Sequence, residues 1–105
     1  MRRTDQEIAD DMAAAGVPIM TPDALEHLRS SRSGLVHALI VVRAHIQRHG
    51  PDQMYREIPK HHTRKRRDAQ RIVDALKAVE RDIDGQQQGC AQRLRIEAIR
   101  KEQPQ

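Results

Sequence analysis

Residues 22–49 read PDALEHLRSSRSGLVHALIVVRAHIQRH, and the way this stretch folds decides the architecture. Positions 25, 28, 32, 35, 39, 42 and 46 follow spacings of three and four. They carry Leu, Leu, Arg, Leu, Leu, Val and Ile, a heptad seam interrupted only by Arg32. Thr21 ahead of Pro22 is a start signal: the hydroxyl can accept an orphaned amide, and proline at the first helical position forfeits no donor that a helix uses. Val36 and Ile40 add a second apolar stripe, which makes 35–46 the expected centre of the fold. Two features compete with a single helix. The RSSRSG run from Arg29 to Gly34 is poor in helix formers, so two collinear pieces broken near 30–34 fit as well as one helix of 22–49. Leu39 to Val42 also has strand propensity, and the long flanking helical spacing decides for helix. Gly50 and Pro51 close the stretch.

Upstream, Thr4 followed three residues later by Glu7 forms a capping box, so a helix is expected over about 5–15 with Ile8, Met12 and Ala15 on one face. Gly16, Val17 and Pro18 supply a left-handed stop and a breaker. Downstream, Pro51 and Asp52 open a short turn of helix that ends before Pro59. Ala69, Ile72, Leu76, Val79 and Ile83 then predict a second long amphipathic helix over 63–84, capped by Gly85. Gln86 to Gly89 reads as a turn, and Cys90, Leu94 and Ala98, with Ile96 and Ile99, as a final short helix. The expected fold is all-α. It is a single helical domain spanning 1–105, a small bundle of four to five helices with frayed ends at 1–3 and 102–105.

Composition bounds what such a bundle can do. Of 105 residues only 21 are Leu, Ile or Val, with one Tyr and no Phe or Trp, so a deep active-site cavity is not expected and a partner chain would help to complete the core. A homodimer is the simplest such partner. One cysteine, Cys90, excludes an internal disulfide framework and fits a reducing compartment. No apolar run approaches the ~20 residues of a membrane span, and the Met-Arg-Arg start is followed by polar residues rather than an apolar core. A cytoplasmic protein without membrane partner is therefore expected.

Charge is unevenly placed: residues 1–59 carry 7 basic and 8 acidic side chains, residues 60–105 carry 12 and 7. The sharpest feature is KHHTRKRR at 60–67. Four of its cations fall at the N-terminal end of a predicted helix, where the dipole disfavours them by about 0.3–1 kcal/mol each. Folding alone would not choose that arrangement, and approaching phosphates would reverse its sign. The candidate nucleic-acid-binding residues are Lys60, Arg64, Lys65, Arg66, Arg67 and Arg71, with Asp68 able to pair with Arg64 across one turn. An acidic protein surface is the other partner this charge would suit, as for a small regulator or inhibitor of mobile-element type.

Other constellations are poorer. The 5–15 helix, its turn and the helix from Pro22 resemble the layout of a helix-turn-helix. With Gly16 at the ninth position of that unit, however, Asp11, Met12 and Pro22 fall where an apolar, a small and an apolar residue belong, so the pair reads as a hairpin covering the core. Tyr55 is the only aromatic side chain, too few for base stacking. His45 and His49 stand one turn apart without a third ligand, and paired carboxylates such as Asp10–Asp11 and Asp82–Asp84 lack a partner base. The chain is thus expected to be non-enzymatic, with no cofactor, no metal and no small-molecule substrate.

Overall fold

The structure, a computed structural model, describes residues 2–50 and 57–103. Among them are three helices and no strand: α1 over Asp5–Ala14, α2 over Pro22–His49 and α3 over Thr63–Glu102. The all-helical class is as expected; among the described residues the count is three, because the segments expected as 63–84 and a separate final helix run together. The short helix read at 51–58 lies almost wholly outside the described residues, as do positions 1, 104 and 105 of the expected frayed ends.

The start and stop of α1 follow the sequence closely. Thr4, extended at φ −74° and ψ 159°, accepts the Glu7 amide at its hydroxyl. At the other end Gly16 takes φ +72°; its N–H donates to Ala13 O at 3.1 Å and that of Val17 to Met12 O at 3.0 Å. This is the paired-bond glycine stop, and it leaves Val17 and Met12 in register to pack. In α2 the Thr21 hydroxyl accepts the Ala24 amide at 3.2 Å, with Pro22 at the first position.

One break left open and one expected do not occur. Helix α2 passes unbroken through 30–34, and α3 passes through Gly85 and the glutamine run to Glu102, so neither the 63–84 boundary nor the separate final helix stands. The physical reason is shared. A glycine stops a helix by adopting positive φ, and only Gly16 does so among the described residues. Gly34, Gly85 and Gly89 each cost about 1 kcal/mol of helix propensity, but none is followed closely by a proline: the next is Pro51 after Gly34 and Pro104 after Gly85 and Gly89.

The chain forms two compact units, divided at Gly34 and Gly85. Unit 1 comprises residues 1–34 and 86–105, that is α1, the first part of α2 and the last part of α3. Its buried apolar residues are Ala9 and Ile96, and it also buries Glu97 and Arg100. Unit 2 comprises residues 35–85, with the end of α2 against the start of α3 in an antiparallel hairpin centred on Leu39 and Val73. Arg43 on α2 donates to Glu80 on α3 at 3.1 Å.

The inward faces of unit 2 correct the expected stripes. On α2, Leu35, Leu39, Val42 and Ile46 are buried or half-buried as the seam requires. The second stripe is not: Val36 and Ile40 are exposed, Ile40 at 61%. On α3 the buried line runs through Ala69, Val73, Leu76 and Ile83, leaving Ile72 and Val79 about half exposed. A two-helix hairpin offers each helix one neighbour, so only one stripe per helix can be covered.

Candidate nucleic-acid interface

The chain enters α3 through a turn in which His62 N–H donates to Pro59 O at 3.0 Å, and Arg66 N–H to His62 O at 3.0 Å begins the ladder. The His61 and His62 rings meet edge to face, with centroids 4.3 Å apart. Arg66 turns back on this turn. Its Nη2 donates to Ile58 O at 2.8 Å, and its Nε lies 3.2 and 3.3 Å from Ile58 O and Pro59 O. One half-buried guanidinium therefore serves two carbonyls, a role set by the rigid fork of arginine that lysine cannot reproduce.

The other candidates divide by face. Arg64, Arg67 and Arg71 recur at spacings of three and four and line one shallow hollow with Thr63 and Asp68. Asp68 lies 3.9 Å from Arg71, not against Arg64 as expected. Lys60 in the turn and Lys65 on the helix are exposed. Among the described residues, Lys60, Arg64, Lys65 and Arg67 have no carboxylate within ion-pairing distance. The first turns of α1 and α2 carry Asp5 and Glu7, and Asp23, whereas that of α3 carries no acid. Its unpaired amides and its cations thus share the positive end of one dipole.

The excess stops at Arg71. Gln70 donates to Asp74 at 2.8 Å, and the next hollow mixes Asp74, Lys77, Glu80 and Arg81. The two units also differ in charge: the stretch 35–85 carries 11 basic against 7 acidic residues and five of the six histidines, while the rest of the sequence carries eight of each charge.

Sequence reasoning missed the most polar buried cluster, in unit 1. Glu97, 2% exposed, accepts the Met20 amide at 3.1 Å and pairs with Arg93 at 3.1 Å and Arg100 at 3.6 Å. Arg100, 4% exposed, also donates to Pro18 O at 3.3 Å and to Val17 O. The signal was present: a Val17–Met20 loop leaves backbone groups to satisfy, and a charged residue at 97 interrupts the apolar run of Leu94, Ile96 and Ile99 while another follows it at 100.

Among the described residues no three His, Cys, Asp or Glu side chains converge on a possible metal position, and no helix is long and apolar enough to cross a membrane. Comparison with protein-family models, curated proteins and solved structures finds no match, so the reading of this surface rests on its own residues.

Proposed function

We propose that the protein is a non-enzymatic accessory or regulatory factor that binds the phosphate backbone of nucleic acid through the start of α3. The observation that carries this reading is the Arg64–Arg67–Arg71 face, with Lys60 and Lys65 exposed nearby in sequence, at a helix N-terminus that has no first-turn carboxylate. Arginine forks and free amides at one positive end match phosphate oxygens in both charge and geometry. Of the six candidates, five serve as phosphate contacts; Arg66 holds the turn that presents them. Sequence preference is weak, because phosphates carry no base identity and the protein has one aromatic residue. The reading includes no cofactor, and it takes the protein as a cytoplasmic homodimer.

The test is the salt dependence of binding to duplex DNA. Three to five phosphate contacts give a logarithmic slope of about −2.7 to −4.5. Replacing Arg64, Arg67 and Arg71 together by Ala flattens it by about 2.7 units while the circular dichroism stays helical. An unchanged slope would move the site elsewhere. If the wild type bound neither duplex nor single strand at ~0.15 M salt, and instead held a protein partner through nuclease treatment, the surface would be one for an acidic protein.

A further inference from the structure

Unit 1 carries a second surface that the phosphate reading does not use. An open groove of about 820 Å³ runs between the first three turns of α2 and the last three of α3. Its floor is apolar: Leu25, Ala91, Leu94 and Ala98. The two alanines, seven residues apart, leave the floor low on either side of Leu94. Its rim is basic, formed by Arg29, Arg32, Arg95 and Lys101, with Glu102 as the exposed carboxylate among the lining residues. The remaining acid, Glu97, is buried and committed to Met20, Arg93 and Arg100. Arg29 lies 3.5 Å from Glu26 and Arg95 2.8 Å from Asp5, whereas Arg32 and Lys101 have no carboxylate partner among the described residues.

We propose that this groove docks an acidic amphipathic helix of another protein. An apolar floor between cationic edges fits a helix with aliphatic residues at spacings of three and four and carboxylates on both flanks. Phosphate backbone would use the rim and leave Leu25 and Leu94 unpaired with anything apolar. The same part of α3 already holds a segment of that chemistry within the chain. Helix α1, DQEIADDMAA, is acidic with Ile8 and Met12 on its inner side; its Asp5 is bound by Arg95 and its Asp10 accepts from Gln103 at 2.7 Å. The 12 residues from Ala91 to Glu102 span about 16 Å, enough for three turns of a docked helix.

The experiment measures fluorescence anisotropy of a labelled helical peptide of about 14 residues, with Leu at the first, fourth and eighth core positions and Glu beside them. A peptide of the same composition in scrambled order is the control, and the full-length protein is used throughout. The patterned peptide binds about tenfold more tightly than the scrambled one. The rim reversal Arg32→Glu with Lys101→Glu, and separately Ala98→Glu in the floor, each weaken it about tenfold. All these positions are exposed, so helicity is retained. Replacing Arg64, Arg67 and Arg71 by Ala leaves the peptide affinity unchanged, which separates this groove from the phosphate surface. Equal binding of patterned and scrambled peptides would overturn the proposal, as would indifference to both groove variants. So would displacement of the peptide by a short DNA duplex that needs Arg32 and Lys101, which would make the groove a nucleic-acid surface. Dissociation of a dimer by the rim reversal would assign the groove to a second copy of the chain and end the proposal as well.

Discussion

Burying a carboxylate in so thin a core requires that its charge be met, and at Glu97 two guanidiniums stand against Oε1 while the Met20 amide donates to Oε2; Oε1 itself takes no hydrogen bond. The arrangement is asymmetric in its consequences. Glu97→Ala leaves Arg93 and Arg100 facing each other without a counter-charge and the Met20 amide without an acceptor. We expect a loss of about 3–5 kcal/mol in urea unfolding, against less than about 0.5 for Glu102→Ala on the surface. A loss below about 1 kcal/mol would show that the cluster does not hold the α1–α2 loop. Asp5 gives a pH signature of the same docking. The hydrogen bond from Arg95 holds its carboxyl below the ordinary 3.8, aided by Gln92 and the Arg95 charge and opposed by partial desolvation. Because the folded value is depressed, the stabilisation is complete above 3.8 and disappears as pH falls through the lower folded value. In Arg95→Gln the Asp5 carboxyl resonance should titrate closer to 3.8 than in the wild type; an identical midpoint would remove Arg95 as the cause.

The long helices carry three interior glycines at which nothing lies within 4 Å of where a Cβ would stand: Gly34, Gly85 and Gly89. None has positive φ, so neither close packing nor backbone conformation requires them. Gly85→Ala and Gly89→Ala should each stabilise the protein by about 0.5–1 kcal/mol, read as a higher urea midpoint at unchanged slope. Gly16→Ala should do the reverse, since φ +72° strains any residue with a Cβ. Destabilisation by Gly85→Ala would mean that the helix breaks there after all. The glycines also mark what the sequence made legible. The stop at Gly16 was readable because Pro18 follows it and both breaking signals agree. At Gly34 and Gly85 one signal stood alone, and a lone glycine inside a helical run sets a cost rather than an end. Of the basic segment, its position at a helix start was legible from the three-four spacing of Ala69, Ile72, Leu76, Val79 and Ile83 beyond it. That Arg66 faces the turn while Arg64, Arg67 and Arg71 share a face was not, because it depends on where the carbonyls of Ile58 and Pro59 point.

For the molecule as a whole the deciding quantity is apolar surface without a neighbour. Among the described residues the buried apolar side chains are Ala9, Leu39, Val73 and Ile96, whereas Val36, Ile40, Val41, Ile72 and Val79 are large apolar side chains left exposed, all five of them in unit 2. A two-helix hairpin is one layer short of a closed core, and a second hairpin from another copy would supply that layer as a four-helix arrangement. Leu39 is a poor probe of this, because it is already buried within one chain: Leu39→Asp places an unpaired charge inside the hairpin and should unfold it at any concentration. Ile40 and Ile72 are the informative positions, being 61% and 51% exposed on the two helices. Covering either recovers about 1 kcal/mol per side chain, and two copies of it meet or flank each dimer contact, so a glutamate at the stripe that seats the partner should weaken the dimer by at least about 2 kcal/mol, roughly thirtyfold in Kd. Sedimentation at micromolar concentration should therefore report a wild-type dimer whose melting temperature rises with concentration, and a folded monomer for Ile40→Glu, Ile72→Glu or both. A wild type that sediments as a monomer, or a dimer indifferent to both substitutions, would show that these isoleucines do not seat a second copy.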